Sequence, residues 1–188
     1  MTLNPWLPVI FALSTLLHAQ DRQPPPAPKT KIEAFEAQSG SVVVRGFSRI
    51  GEMKGIYGGV LTVQSMEFTQ AVTGKKEYGI TIDVKETDRL ERSNRSFIDY
   101  DEIASLLKGI EYVSKIDSSV TPLESFQADF RTKGDFKVST FSSGKEILAS
   151  ISSGSIGATS LFLRLSDVPK LRDLVASARD KLDAVKAR

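Results

Sequence analysis

The 188-residue chain has no cysteine and a single histidine, His18. The lack of cysteine excludes disulfides and thiolate chemistry, and loss of His18 as well would exclude zinc sites of the usual nitrogen and sulfur type. Catalysis by a Ser-His-Asp or Cys-His arrangement needs an imidazole to accept the proton of the nucleophile. Such chemistry therefore depends on whether His18 belongs to the working protein. We also expect no cofactor.

The chain also lacks an excess of one charge. Lysine and arginine number 25 against 23 acidic residues, which gives a formal net charge of +2. A nearly neutral chain does not have the electrostatic character of a protein that binds nucleic acid or an anionic membrane. We therefore expect an unidentified protein or small-molecule partner rather than nucleic acid.

Residues 1–19 contain no charged side chain, and an apolar run extends from Leu7 to Leu17. This run is shorter than the roughly 20 apolar residues that a membrane-spanning helix needs. Ala19 then provides a small residue before a polar segment, which predicts a signal peptide over 1–19 that is cleaved after Ala19. An uncleaved anchor and an N-terminal strand are the alternatives. Cleavage would remove His18 and place the protein in the periplasm or outside the cell, with no transmembrane segment remaining.

A proline-rich segment over 20–31 follows, and its composition favours extended polyproline geometry. We interpret it as a linker to a single α+β domain over 32–188, which begins with a short helix within 32–38. Apolar residues then alternate with period two, which predicts strands. The predicted strands are 42–47, 60–70, 78–84, 97–100, 126–131, 136–141, 146–152 and 160–165. The charged segment 85–95 is predicted to be a solvated loop or a long hairpin tip.

An amphipathic helix is predicted after each group of four strands, over 103–113 and 168–185. Gly109 inside the first helix favours close packing on a sheet. Residues 97–113 align with 162–178 at a constant offset of 65, and their apolar positions coincide. This pattern favours an antiparallel α+β fold built from a duplicated ββββα unit, with repeats at about 40–117 and 118–188. An unrelated α+β arrangement is the alternative.

At the level of topology, this plan resembles the duplicated single-strand nucleic-acid-binding folds of the Whirly and Pur-alpha families. No motif of either family is present, so the resemblance concerns architecture and does not imply function. Nucleic-acid binding would need exposed aromatic rings beside a basic groove. Alternation instead predicts that most of the aromatic residues are buried, including Tyr78, Phe97, Phe126, Phe130 and Phe162.

Asp99, Asp101 and Glu102 form the tightest acidic cluster, and they are the only candidate catalytic residues. Paired carboxylates catalyse glycoside hydrolysis by acting as acid and base. Carboxylates at the start of a helix also accept hydrogen bonds from its free N–H groups. We favour the structural interpretation, in which Asp99 or Asp101 caps the helix that follows.

Three functional hypotheses remain. The first is an exported, non-catalytic binding protein or structural, envelope-associated protein of unknown ligand. A carboxylate-dependent hydrolase is the alternative, and single-stranded nucleic-acid binding through the duplicated sheet is the second alternative.

Overall fold

The computed structural model describes residues 27–87 and 91–188. The predicted signal peptide and residues 20–26 of the predicted linker lie outside the described residues. The main elements, in chain order, are α1 (Lys31–Glu36), β1 (Val43–Lys54), β2 (Val60–Gln70), β3 (Lys76–Glu86), β4 (Arg92–Asp99), α2 (Ile103–Ser114), β5 (Gln127–Arg131), β6 (Phe136–Ser143), β7 (Glu146–Ser153), β8 (Thr159–Arg164) and α3 (Val168–Lys186).

The strands form two four-stranded antiparallel sheets, ordered β1-β2-β3-β4 and β5-β6-β7-β8. Two long helices and the short α1 complete an α+β fold, in which the sequence ββββα occurs twice. These findings confirm the predicted fold class and the duplicated arrangement. No helix within 27–87 or 91–188 is both long and apolar enough to cross a membrane.

The charged segment 85–95 is more regular than the sequence predicts, because β4 already begins at Arg92. Two cross-strand ion pairs explain the difference. Arg92 lies opposite Glu86 and Arg95 lies opposite Asp83, and their charged groups are 2.7 Å apart in both pairs. Opposite charges directly across an antiparallel pair stabilise the strands that bear them.

The two units agree in detail as well as in strand order. A 3-10 turn follows the last strand of each sheet and leads directly into a helix; the turns are Tyr100–Glu102 and Leu165–Asp167. These turns begin 65 residues apart, as do the helices α2 and α3, which start at Ile103 and Val168. The offset detected in the sequence is therefore an equivalence in three dimensions.

Each long helix packs on the sheet of the other unit. The helix α2 contacts β5 and β6, whereas α3 contacts β1, β2 and β3. A buried hydrogen bond recurs at equivalent positions: the Thr140 hydroxyl donates to the Val113 carbonyl at 2.8 Å, and the Ser65 hydroxyl donates to the Ala178 carbonyl at 2.9 Å. The helix exchange joins both units in one hydrophobic core.

Large and small residues are exchanged between the two helix–sheet contacts. On α2, Gly109 lies against the ring of Phe130 so closely that a Cβ atom would overlap it. On α3, the equivalent position is Leu174, which packs over Gly51 of β1, where a Cβ atom would lie 2.6 Å from the leucine side chain. Gly109 thus allows the close helix–sheet packing predicted from the sequence.

The short helix α1 covers part of the outer face of the first sheet, as opposed to the face that packs on the common core. Its Ile32 and Phe35 side chains are buried in a second cluster with Met66 and Phe68, and Phe97 packs against this cluster. The Thr30 hydroxyl accepts a hydrogen bond from the Glu33 N–H, and the Glu33 carboxylate accepts one from the Thr30 N–H. This capping box defines where α1 begins.

Candidate functional site

Asp99 is 3% exposed and caps a helix other than the one that follows it. Its two carboxylate oxygens accept hydrogen bonds from the backbone N–H groups of Lys31 and Ile32, at 2.9 and 3.1 Å. These groups lie in the first turn of α1. The prediction that Asp99 caps the following helix is therefore wrong. Asp99 lies opposite Gly79 on the outer face of the sheet, next to α1, whereas α2 packs against the second sheet.

Asp101 and Glu102 also make structural contacts, and neither side chain caps α2. The Asp101 carboxylate pairs with the Lys31 ammonium at 2.7 Å. A hydrogen bond from Lys31 lowers the pKa of Asp101, so this group stays ionised at neutral pH. The Glu102 carboxylate accepts the N–H of Lys133, at 2.9 Å, and so holds the turn between β5 and β6.

Two of the three acidic side chains, Asp99 and Asp101, are engaged by groups of the protein itself. Both oxygens of Asp99 already bind amides, and Asp101 is held in the ionised form, so neither group is poised to donate a proton to a substrate. Asp99 and Asp101 line a cavity of about 210 Å³ together with Tyr100. A hydrogen bond to Asp183 raises the pKa of Tyr100, which keeps the phenol protonated.

Within residues 27–87 and 91–188, no three histidine or carboxylate side chains come close enough together to hold a metal ion. Many of the described acidic residues instead pair with lysine or arginine, or accept hydrogen bonds from backbone amides. Glu86 is an example of the second arrangement. Its carboxylate accepts the N–H of Ser160 at 2.7 Å, and this hydrogen bond lowers the pKa of Glu86. The contact joins β3 to β8 across the two sheets.

The outer face of the second sheet carries no helix of the described chain. We call it the second-sheet face. Its side chains, given strand by strand, are Gln127, Asp129 and Arg131; Lys137, Ser139, Phe141 and Ser143; Glu146, Leu148, Ser150 and Ser152; and Ser160, Phe162 and Arg164. Residues between them on the same strands, such as Val138, Ile151 and Leu161, point to the core.

Three aromatic rings form a cluster on the second-sheet face. The rings of Phe141 and Phe162 meet edge to face, with their centroids 6.3 Å apart. Tyr57, in the hairpin between β1 and β2, adds a third ring 5.9 Å from Phe162. The hairpin is held there because the Ile56 N–H donates to the Phe162 carbonyl at 2.9 Å. We call Tyr57, Phe141 and Phe162 the aromatic cluster.

The prediction that Phe162 is buried is wrong, since this residue is 38% exposed. Tyr57, the ring beside it, is 71% exposed. Alternation along β8 places Leu161 and Leu163 in the core and Phe162 on the opposite face. The pattern separates the two faces of a strand, but it does not show which face another element covers. The other four aromatic residues expected in the core, Tyr78, Phe97, Phe126 and Phe130, are partly buried.

Phe141 and Phe162 occupy positions whose equivalents in the first sheet, Met66 and Phe97, pack with α1. Phe162 is equivalent to Phe97, which packs against the α1 cluster. The equivalent cross-strand rows are Met66, Gly79 and Asp99 in the first sheet and Phe141, Leu148 and Arg164 in the second. The offset of 65 in the sequence pairs Phe97 with Phe162. This pairing is the signal in the sequence that marks Phe162 as part of an equivalent face. In the first unit α1 precedes β1. In the second unit the segment between α2 and β5 contains no helix of this kind, only the 3-10 turn Ser118–Val120.

Charge differs between the equivalent faces. Arg164 stands where the first sheet has Asp99, so a donor of hydrogen bonds replaces an acceptor. Arg131 and Lys137 add positive charge at the other end of the second-sheet face, and Asp129 and Glu146 are acidic residues of the same face. Arg131 lies 3.7 Å from Asp135 in the adjacent turn. The second-sheet face is therefore apolar at the aromatic cluster and carries charges of both signs around it.

Comparison of the chain with models of protein families, with curated proteins and with solved structures finds no match.

Proposed function

We propose that this protein is an exported, non-catalytic domain that binds a partner protein. The observation that carries the proposal is the aromatic cluster on the second-sheet face, in which Tyr57 and Phe162 are exposed and Phe162 is equivalent to Phe97, which packs with α1. Aromatic side chains that remain exposed beside polar residues are typical of protein–protein interfaces, where they supply much of the binding energy.

The contacts of the acidic residues support a non-catalytic function. Asp99 caps α1, Asp101 pairs with Lys31, and Glu102 holds the turn between β5 and β6. The N-terminal sequence supports export, because an uncharged apolar segment precedes Ala19 and a proline-rich spacer follows it. In this proposal the spacer separates the processing site from the binding domain.

Single-stranded nucleic acid is the second candidate ligand. The observation in its favour is that aromatic rings and three basic residues share one face of a four-stranded sheet, an arrangement that can stack bases and contact phosphates. Binding of this kind weakens steeply as salt rises. Titration of the mature protein with an oligothymidine at several salt concentrations tests it, and a lack of binding at low salt rules it out.

Chemical cross-linking in the exported fraction of the source organism tests the main proposal. The bait is the mature protein, and the variants are Phe162→Ser and Tyr112→Ser. Tyr112 is a matched control, since it is 68% exposed and lies on α2, which packs on the opposite side of the second sheet from the second-sheet face. We expect one partner to cross-link to the wild-type protein and to Tyr112→Ser but not to Phe162→Ser. Equal recovery with all three baits would contradict the proposed binding surface.

Mass spectrometry of the exported protein tests the processing step. We expect a mature chain that begins at Gln20. Recovery of intact Met1 from the exported fraction would contradict cleavage of the signal peptide.

A further inference from the structure

We propose that the protein forms a symmetric dimer in which β1 pairs antiparallel with β1 of a second copy, with Gly46 on the two-fold axis. The pairing joins two four-stranded sheets into one continuous sheet. The strand surface involved comprises residues 42–49, which we call the β1 edge. This inference is independent of the proposed function, because the β1 edge belongs to the first sheet and the second-sheet face belongs to the other.

The strand β1 is a long edge strand that can accept another strand. The two sheets have four edge strands, β1, β4, β5 and β8. The strands β4 and β8 contact strands of the other sheet, and β5 is only five residues long. In contrast, β1 has 12 residues, and β2 is its one partner among the described strands. An edge strand of this kind presents a row of unpaired N–H and C=O groups to another strand.

The hydrogen bonds of β1 show which of its backbone groups point outward. The Val42 carbonyl accepts a hydrogen bond from the Ala71 N–H at 2.9 Å, so the backbone groups of Val42 point to β2. Because this direction alternates along a strand, the odd-numbered residues of the β1 edge direct their N–H and C=O groups away from β2. These residues are Val43, Arg45, Phe47 and Arg49. Within 27–87 and 91–188, no hydrogen bond involves these outward groups.

The β1 edge exposes apolar side chains on both faces of the sheet. Val42 and Val44, on the face towards α3, are 65% and 56% exposed, and Phe47, on the opposite face, is 71% exposed. Soluble proteins usually protect an open edge with charged residues instead. A second strand beside β1 buries these apolar side chains against cross-strand neighbours on both faces.

A groove at Gly46 provides room for side chains of a second copy. Its volume is about 250 Å³, and it lies between β1 and the C-terminal part of α3, where Gly46 and Leu182 line it. The strand pairings that accompany the recurring buried hydrogen bond place Phe126 of the second unit at the position of Gly46. The second unit thus has a large side chain where the first unit has none. In the proposed dimer, Val44 of the second copy lies opposite Ser48, which also lines this groove.

Charge selects the register of the pairing. Outward residues of one copy must face outward residues of the other, which leaves three registers that pair most of the β1 edge. An axis at Arg45 would place two arginines opposite each other, and an axis at Phe47 would place Arg45 opposite Arg49. An axis at Gly46 places Arg45 opposite Phe47 instead. The remaining outward pair is then Val43 and Arg49, so no like charges face each other directly.

The arginines of the β1 edge are also neutralised within their own copy. Arg45 lies 3.2 Å from Glu36, and Arg49 pairs with Glu52. The diagonal approach of arginines from the two copies therefore causes little net repulsion.

Single cysteines in the mature protein test the dimer and its register, because the chain has no cysteine of its own. Gly46 faces its symmetry mate in a pair that is not hydrogen-bonded, with Cα atoms about 4.5 Å apart, which a disulfide can bridge. A Cβ atom at Gly46 meets no other atom closer than 3.8 Å, so cysteine fits there. The symmetry mates of Arg45 and of Phe47 are diagonal neighbours about 7–8 Å apart, which is too far for a disulfide.

We expect Gly46→Cys to form a disulfide-linked dimer under mild oxidation about tenfold faster than Arg45→Cys or Phe47→Cys. The control for random collision is Tyr112→Cys, which places an exposed thiol on α2.

Sedimentation velocity of the mature protein measures association without a cross-link. A single strand pair forms a small interface, so we expect a dimer with a Kd of about 1–100 µM. Phe47→Pro removes an outward N–H and leaves the hydrogen bonds to β2 in place, and Val44→Lys places a charge at the interface. We expect both variants to be monomeric and Tyr112→Ser to dimerise like wild type. Thermal melts show which variants are folded, and either folded variant is sufficient for the test.

The inference would be overturned if the wild-type protein stayed monomeric at concentrations about tenfold above this range. A dimer that persists in the folded Phe47→Pro or Val44→Lys variant would also overturn it. Fastest disulfide formation at Arg45→Cys or Phe47→Cys would refute the register, and equal rates for Gly46→Cys and Tyr112→Cys would show random collision alone. None of these results changes the recovery of a partner through Phe162, so the proposed function is tested separately.

Discussion

Replacement of Asp99 by alanine measures how strongly the acidic cluster stabilises the fold. The change removes two hydrogen bonds that a buried carboxylate accepts from the backbone N–H groups of Lys31 and Ile32. A hydrogen bond to a charged group contributes about 1.5–3 kcal/mol, which gives an upper limit of about 3–6 kcal/mol for the pair. Water can reach these N–H groups if α1 shifts, and loss of a helix cap alone costs about 0.5–2 kcal/mol. We therefore expect a loss of about 2–3 kcal/mol in the free energy of unfolding.

Urea denaturation with linear extrapolation measures this change, and a thermal melt should show a decrease in Tm of about 5–10 °C. Amide hydrogen exchange adds local information, because the Ala34 N–H bonds to the Thr30 carbonyl at 3.0 Å within α1. We expect exchange at Ala34 to accelerate more than exchange in the sheets, since α1 loses its anchor first.

Asp101→Ala is the matched control, because it removes the neighbouring carboxylate from an ion pair whose two side chains are 56% and 55% exposed. Water and salt screen such a pair, so we expect little change in stability. The capping interpretation would be refuted if Asp99→Ala left the free energy of unfolding unchanged. It would also be refuted if Asp101→Ala were equally destabilising.

Further predictions concern the helix–sheet contacts and the pH dependence of stability. Gly109→Ala should destabilise the protein by about 1–3 kcal/mol, although alanine normally favours a helix by about 1 kcal/mol, because its Cβ atom would overlap Phe130. Urea denaturation measures this loss, and adding Phe130→Leu should restore part of it. Thr140→Val should cost about 1–2 kcal/mol in the same assay, since the α2 carbonyl loses its buried partner. The hydrogen bond from Ser160 lowers the pKa of Glu86, so its stabilisation is present above the pKa of the unfolded chain and is lost as pH falls through the folded value. Glu86→Gln should therefore flatten the decrease in Tm on the acid side, measured by melts from about pH 6 to about pH 3.

Three results would contradict these expectations. Unchanged stability of Gly109→Ala would show that the Phe130 ring moves aside freely. Equal stability of Thr140→Val and wild type would mean that water replaces the lost donor. Parallel pH profiles for Glu86→Gln and wild type would remove Glu86 from the account of acid stability.

The sequence by itself determined the local elements of this protein. Alternation along 78–84 and 146–152 and the helical spacing over 103–113 identified strands and a helix, because side chains two residues apart share a face of a strand and those three or four apart share a face of a helix. The offset of 65 identified the duplicated unit for the same reason, since equivalent elements repeat the same pattern. These relations lie within short stretches of chain and are visible without a fold.

Only the tertiary structure decided which elements cover which faces. Asp99 or Asp101 was predicted to cap the next helix, but the Asp99 carboxylate binds α1, 68 residues earlier in the chain. Phe97 and Phe162 occupy equivalent positions in the sequence, yet α1 covers the first and leaves the second exposed. The exchange of α2 and α3 between the sheets has no local signal either. The physical reason is that a periodic pattern records the two faces of an element, whereas its burial depends on segments that are distant in the chain and meet only when the whole core has formed.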